Sequence, residues 1–332
     1  MVGEGAVPSD DELLACWSTM VLVRRAEERL AAEFAAGNIP GAVHLYIGQE
    51  AVAAAVCAHL DERDLITSTH RGHGHFLAKG GDLDAMFAEI WGRSDGICGG
   101  MGGSMHVADV SRGILGANGI VAGGMAIAAG AALGAQLDGD GKVAVCFFGD
   151  GAANQGVLME TLNVAALWHL PLVFVCENNQ FSEFTPSRDI TVGKVSDRAK
   201  PFDIPVVDVD GNDVEAMWSA AAAAIGRARD GGGPTFVEAH TYRIHGHMER
   251  EKYILGDGGY RDDAEVEEWR LRDPIARGRE RLLARGGVDQ ETLDRIDSDV
   301  SDRVDAAVAR AESAAPPDPD LPRKLMFSGR EV

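Results

Sequence analysis

The strongest constraint on the fold comes from the stretch between Lys142 and Phe181, where two apolar runs flank a helical pattern. The first run, Val143 to Phe148, is apolar at every position, which predicts a strand buried on both faces of a sheet. After a Gly-Asp-Gly turn, apolar residues recur at helical spacing from Asn154 to His169. A second apolar run, Leu172 to Cys176, follows a proline. The stretch therefore predicts a β-α-β unit.

Polar residues follow both predicted strands of this unit. Asp150 lies in the glycine turn after the first strand, and Asn178 and Asn179 come directly after the second. A right-handed crossover between parallel strands puts both carboxyl ends at one edge of the sheet, where α/β folds bind ligands. A glycine turn lets the backbone approach a phosphate, and carboxylate and amide oxygens are suitable ligands for magnesium. The unit is predicted to bind a magnesium diphosphate.

A nicotinamide site is the competing interpretation of the glycine turn. The dinucleotide fingerprint is G-x-G-x-x-G, with an acidic residue about 20 positions later. Here the sequence is GDGAAN, and Asn154 stands where the third glycine belongs. No other glycine cluster completes the pattern, which disfavours a nicotinamide cofactor.

Composition limits the class of protein. The chain has 332 residues, and 45% of them are hydrophobic, which is sufficient for one large α/β domain. Its formal charge of -21 disfavours nucleic acid and anionic membranes as partners. We expect a single domain over residues 1–313, with an N-terminal helix, and a proline-rich tail over 314–332.

Three sequence features bear on the location of the protein. The five cysteines never form C-x-x-C, and the N-terminus lacks a signal-peptide pattern. The uncharged segment near residues 113–137 is rich in glycine and alanine, which is not typical of a membrane span. We expect free thiols, no membrane span and a cytoplasmic location.

Histidines cluster in HRGHGH, residues 70–75, the densest basic segment of this acidic chain. Three interpretations stay open on the residues alone: a zinc site, a solvated turn, or an anion site in which a guanidinium and imidazoles lie beside glycines. Two other histidines are ambiguous too. His44 precedes a predicted helix in an apolar setting, where a lone histidine is usually a core residue, and His247 follows a later predicted strand, where it could belong to a polar loop.

The motifs together resemble a known family. Gly149-Asp150-Gly151 followed by Asn178-Asn179 resembles the thiamine diphosphate motif, and GDGAANQG, NVAALWHLP and ENN resemble the alpha subunits of 2-oxo acid and acetoin dehydrogenases. The resemblance covers about nine tenths of the chain. It implies the thiamine diphosphate-binding fold, an α/β, doubly wound, mostly parallel sheet with helices on both faces.

The resemblance also implies roles for individual residues. Thiamine diphosphate and Mg2+ would be the cofactors. His44, His70 and His247 would be catalytic. The implied metal ligands are Asp150, Asn179 and the Phe181 carbonyl, and the implied cofactor contacts are His70, Arg71, Gly119, Val121, Asp150, Gly151, Ala152, Asn179 and His247.

The implied function is cleavage of acetoin, or a related small ketol or 2-oxo acid, with the two-carbon acyl unit passed to a lipoyl group or another carrier thiol. The segment THRGHGH, residues 69–75, resembles the corresponding segment in the acetoin-type branch of the family. A pyruvate-type dehydrogenase, a transketolase-like ketose-cleaving subunit and a non-catalytic regulatory subunit are the alternatives. Loop 248–262 differs from that of pyruvate-type subunits because it is longer, is charged and lacks their serine. The substrate choice and phosphorylation control of those subunits are therefore not inferred for this chain.

The family also implies partners. A beta subunit would supply the glutamate that activates the cofactor, so we expect two alpha and two beta chains and no activity of this chain alone. Glu50 is the tempting substitute, but the resemblance places it in the framework of the alpha chain. A lipoyl-bearing acyltransferase or carrier protein would accept the product.

Overall fold

A computed structural model describes residues 6–256 and 259–326. Residues 1–5 of the predicted N-terminal segment, 257–258 of loop 248–262 and 327–332 of the predicted proline-rich tail lie outside the described residues. The strands are β1 (Leu65–Thr67), β2 (Ala144–Gly149), β3 (Leu172–Asn178), β4 (Phe181–Ser182), β5 (Thr185–Pro186), β6 (Val206–Asp210) and β7 (Thr235–His240). The helices are α1 (Asp10–Ala35), α2 (Glu50–Cys57), α3 (Gly72–Ala78), α4 (Leu83–Ile90), α5 (Gly123–Asp138), α6 (Gly156–Leu167), α7 (Ser187–Ile190), α8 (Val214–Arg229), α9 (Glu251–Leu255), α10 (Asp263–Arg270), α11 (Pro274–Arg285), α12 (Gln290–Ser313) and α13 (Leu321–Leu325).

The central sheet has the order β1-β2-β3-β7-β6, and each neighbouring pair in it is parallel. The predicted unit over residues 142–181 is present as β2-α6-β3, and β6-α8-β7 forms a second unit of the same kind. The chain passes from β3 to the outer strand β6 and returns to β7, which lies against β3. The carboxyl ends of β2, β3 and β7 are therefore adjacent.

Alternating side chains of the strands enter two separate hydrophobic cores. Val143, Val145 and Phe147 pack into a core that includes residues of α1, α2 and α8. Cys146 and Phe148 pack into a second core with residues of α5 and α6. This alternation explains why β2 is apolar throughout, since both of its faces are buried. The structure confirms the α/β fold class with helices on both faces of a parallel sheet.

The N-terminal helix α1 forms as predicted. Ser9 caps it, because its hydroxyl accepts a hydrogen bond from the Glu12 backbone N–H while the Glu12 carboxylate accepts one from the Ser9 backbone N–H. Leu13, Trp17 and Met20 are fully buried on one side of the helix. The helix packs against α2, α11 and α12 and covers one core of the domain.

The segment after β3 contains the short antiparallel hairpin β4-β5 and the single turn α7. The five cysteines are free in the structure as described, and four of them are buried while Cys98 is partly exposed. Among the described helices, none is long and apolar enough to cross a membrane.

Candidate cofactor site

A cavity of about 310 Å³ lies at the carboxyl edge of the sheet. Every residue that the sequence indicated for catalysis, cofactor or metal lines it: His44, His70, Arg71, Gly119, Val121, Asp150, Gly151, Ala152, Asn179, Phe181 and His247. The segments that supply them follow β1, β2, β3 and β7, or lead into α2 and α5. The parallel register brings these strand ends together although they are distant in sequence.

Two buried oxygens in this cavity have no partner among the described residues. Asp150 Oδ2 accepts a hydrogen bond from the Ser187 hydroxyl, and Asn179 Nδ2 donates to Gln49 Oε1 over 3.1 Å. Asp150 Oδ1 and Asn179 Oδ1 accept no hydrogen bond from residues 6–256 or 259–326. Burial raises the pKa of Asp150 to about 6. Unpartnered buried acceptors are rare in native proteins, and a hard divalent cation would satisfy both oxygens, so the donor set fits magnesium.

The two adjacent asparagines have different environments. Asn178 lies in β3, and its side-chain amide donates a hydrogen bond to Glu238 Oε1 over 2.7 Å. Asn179 lies one residue beyond the strand, and its side chain faces the cavity. The structure therefore makes Asn179 the candidate ligand and gives Asn178 a packing role between β3 and β7.

Gly151 has no room for a side chain. A Cβ at this position would lie 2.5 Å from Ser182 Oγ and 3.1 Å from Ser182 Cα. The turn after β2 can therefore pack this closely against Ser182 only because residue 151 is glycine.

One wall of the cavity is cationic. Arg71 is buried and donates hydrogen bonds to the carbonyls of Leu45 and His247 over 2.7 and 2.8 Å. Arg243 is also buried, and it donates to the Glu183 carbonyl over 2.6 Å. In the part of the chain that the structure describes, both guanidinium groups contact carbonyls and the His247 ring, Arg243 also contacts the Tyr260 hydroxyl, and neither forms an ion pair with a carboxylate. Burial and the neighbouring Arg243 lower the pKa of Arg71 to about 9. Two buried cations that form no close ion pair with the described residues favour an anionic ligand.

Three histidines complete this wall. The ring centroid of His44 lies 4.6 Å from that of His70 and 4.9 Å from that of His247. Burial, followed by the charge of Arg71, lowers the pKa of His44 to about 3 and that of His247 to about 2. The same two causes lower the pKa of His70 well below its usual range. These imidazoles are therefore neutral near pH 7 and can donate hydrogen bonds without adding positive charge.

The zinc interpretation of the HRGHGH segment is wrong. His73 Nδ1 lies 3.2 Å from Glu27 Oε1, and His75 Nε2 lies 3.1 Å from Glu177 Oε1; both rings are fully buried. Only His70 and Arg71 of this segment line the cavity. The cause is that α3 begins at Gly72 and carries His73 and His75 into the core in different directions. For the same reason the segment is not a solvated turn.

The sequence interpretation missed three residues of the site. Arg243 follows the carboxyl end of β7, as His247 does, so its position after a strand was an available signal. Ser187 and Gln49 hold Asp150 and Asn179, and neither had a sequence signal because they are distant along the chain. The cavity is lined by Met105 and not by the neighbouring His106, which is exposed.

Comparison with known proteins decides the family. The model of the family described as "Dehydrogenase E1 component" matches residues 18–320. The chain belongs to this family. Its E1 relatives include the alpha subunit of acetoin:2,6-dichlorophenolindophenol oxidoreductase from Bacillus subtilis (strain 168), which is 46% identical over 320 residues, or 96% of this chain and 94% of the relative.

Two further E1 relatives are similar over nearly the whole chain. The corresponding alpha subunit of Cupriavidus necator is 45% identical over 95% of this chain and 94% of its own length. The pyruvate dehydrogenase E1 component subunit alpha of Porphyra purpurea is 36% identical over 96% of this chain and 93% of its own length. These comparisons confirm the predicted family.

Proposed function

We propose that this E1 chain is the alpha subunit of a thiamine diphosphate- and Mg2+-dependent oxidoreductase that cleaves acetoin or a related ketol or 2-oxo acid. The two-carbon acyl unit would pass to a lipoyl group or another carrier thiol. The observation that carries the proposal is that one cavity holds two buried oxygens without a partner among the described residues, together with two buried arginines that form no close ion pair there. A metal-bound diphosphate satisfies both sides at once.

Each predicted residue has a role in this proposal. Asp150 Oδ1, Asn179 Oδ1 and the Phe181 carbonyl would hold the metal, while His70, Arg71 and the backbone of Gly151 and Ala152 would bind the diphosphate. Gly119 and Val121 would contact the cofactor ring through their peptide groups. Thiamine diphosphate, when bound, supplies a carbon nucleophile and an electron sink for breaking a bond beside a carbonyl.

His44 and His247 would act on the substrate side. Both are neutral and line the cavity beside His70, so each can donate a hydrogen bond to a substrate oxygen. Hydrogen bonds from neutral imidazoles stabilise developing negative charge on that oxygen. The residues of this chain thus bind the anion, orient the carbonyl and supply a proton donor.

The preference for acetoin rests on the relatives. The two at 45–46% identity are named as acetoin oxidoreductase subunits, whereas the pyruvate dehydrogenase subunits are 33–39% identical. A pyruvate-type substrate is the second candidate, since those relatives also cover more than nine tenths of this chain. A purely regulatory subunit is disfavoured because it would have no use for unpartnered metal ligands.

A beta subunit is part of the proposal, with two alpha and two beta chains and a lipoyl-bearing acyltransferase or carrier as the acceptor. The relatives are named as alpha subunits, which supports a multi-subunit enzyme. Glu50, the candidate in this chain for the activating glutamate, is fully buried and paired with Arg24 over 2.6 Å. It is not among the residues that line the cavity.

The domain assignment and the location are proposals too. Residues 1–313 would form the single domain, and residues 314–332 would form the tail. The single domain is supported by the two hydrophobic cores of the described residues, which share one sheet. The free cysteines agree with a reducing cytoplasm.

Calorimetry tests the proposed cofactor site. The wild-type chain is titrated with thiamine diphosphate in the presence and absence of MgCl2, beside Asp150→Ala and the control Asp140→Ala, which changes an exposed aspartate outside the cavity. We expect saturable, magnesium-dependent binding by the wild type and the control, and none by Asp150→Ala. Binding that is unchanged in Asp150→Ala would contradict the proposal.

A further inference from the structure

Two arginines meet one nitrogen of His247. Arg243 Nη1 lies 3.1 Å and Arg71 Nη2 3.3 Å from His247 Nδ1. A guanidinium has only donors and cannot accept a hydrogen bond. His247 Nδ1 must therefore present its lone pair, and the single proton of the neutral ring must be on Nε2. Nε2 makes no hydrogen bond to the described residues, and the ring lines the cavity.

Arg243 is held in place from several sides. Its Nη2 donates to the Glu183 carbonyl over 2.6 Å and lies 3.4 Å from the Tyr260 hydroxyl. Its guanidinium carbon lies 5.7 Å from the centre of the Phe181 ring. A buried cation without a carboxylate is costly, and these contacts fix its direction without neutralising its charge. The charged donor is thereby aimed at His247.

We propose that Arg243 is a positioning residue: together with Arg71 it holds His247 as the neutral tautomer with its proton on Nε2. His247 then faces the cavity as a hydrogen-bond donor to an oxygen of an anionic or carbonyl ligand, and not as a base. The identity of that ligand rests on the proposed function, but the tautomer does not. Nothing in the sequence motifs or in the family match assigns a role to Arg243.

The groups around His247 support this assignment. His44 and His70 lie on its cavity side, Phe184 packs against its ring, and Glu251 Oε2 accepts a hydrogen bond from its backbone N–H over 2.7 Å. Glu251 thus holds the backbone of His247, and the described contacts place no carboxylate against its ring. The pKa of His247 is lowered by burial and then by Arg71 and Arg243, which keeps the ring neutral.

The tautomer also argues against a metal at the three histidines. Ligand nitrogens of His44, His70 and His247 all lie within 4.8 Å of one another, as in a three-histidine site. To ligate through Nε2, His247 would have to move its proton to Nδ1, where two guanidinium donors already point. The cluster is therefore suited to donate hydrogen bonds to oxygen and unsuited to bind a cation.

Nitrogen-15 NMR of the full-length chain with labelled histidine tests the proposal, with His247→Gln identifying the His247 signals. In the wild type we expect an unprotonated Nδ1 and a protonated Nε2. Arg243→Gln removes the positive charge and replaces a group that can only donate by a shorter amide that can donate or accept, so we expect a mixture of tautomers and a rise of about one unit or more in the pKa of His247. Arg243→Lys keeps a donor, and we expect it to retain the Nε2 proton.

Arg250→Gln is the matched control, because Arg250 lies in the same loop and stacks on Phe34 without contacting His247. We expect it to leave both His247 signals unchanged. A wild-type proton on Nδ1, or a His247 titration that is the same in Arg243→Gln, would overturn the proposal. If Arg243→Gln does not fold, loss of the Nε2 proton in Arg243→Lys would overturn it equally. Magnesium-dependent cofactor binding in the same samples shows separately whether the proposed function holds.

Discussion

The carboxylate of Asp150 is predicted to reduce the stability of the metal-free chain. Burial raises its pKa from 3.8 to about 6 in the folded protein, so the folded state binds its proton more tightly than the unfolded state does. The side chain therefore contributes no cost well below pH 3.8, its cost grows between pH 3.8 and about 6, and the cost stays constant at higher pH. A difference of about 2 pKa units corresponds to roughly 3 kcal/mol at pH 7.5.

Asp150→Asn tests this cost, because the amide has the same shape and no charge. In buffer with a chelator at pH 7.5, we expect its free energy of unfolding to exceed that of the wild type by roughly 3 kcal/mol. Below pH 4 the difference should vanish. MgCl2 with thiamine diphosphate should stabilise the wild type and leave the variant unchanged.

Urea denaturation monitored by circular dichroism measures these free energies, with Asp140→Asn as the exposed control. The control should match the wild type at each pH. The reasoning is refuted if Asp150→Asn is no more stable than the wild type at pH 7.5, or if its advantage is the same at pH 4.

Three other changes have definite expected outcomes. Asn179→Ala should abolish magnesium-dependent binding of thiamine diphosphate in calorimetry, whereas Asn178→Ala should retain it, because only the side chain of Asn179 faces the cavity. The opposite result would show that Asn178, and not Asn179, binds the metal. Arg71→Met should weaken that binding about a hundredfold, through loss of about 3 kcal/mol from charged hydrogen bonds, and unchanged affinity would contradict the diphosphate contact. Trp17→Ala should lower the free energy of unfolding by about 3–5 kcal/mol in urea titrations, against a small effect for the half-exposed Trp168→Ala, and equal effects would disprove the assigned packing of α1.

Much of the fold could be predicted because strong local signals coincide with the tertiary structure. The helical pattern predicted from Asn154 to His169 is present as α6, and α1 begins at the Ser9 cap. The apolar run of β2 predicted a strand buried on both faces, and its alternate side chains do enter the two cores. The site residues could be placed because parallel strands bring their carboxyl ends to one edge.

The remaining contacts depend on partners far apart in the sequence. His73 and His75 are two residues apart, yet one meets Glu27 of α1 and the other meets Glu177 of β3. Spacing alone could not separate these two buried pairs from His70, which stays in the cavity. The same holds for Ser187, whose contact with Asp150 spans 37 residues.

The most direct test of the central claim is the position of the metal. Crystals of the chain soaked with thiamine diphosphate and Mn2+, in place of Mg2+, give an anomalous difference map that locates the ion. We predict one peak in the cavity about 2.2 Å from both Asp150 Oδ1 and Asn179 Oδ1. A peak beside His44, His70 and His247, or no peak between the two oxygens at saturating Mn2+, would contradict the account.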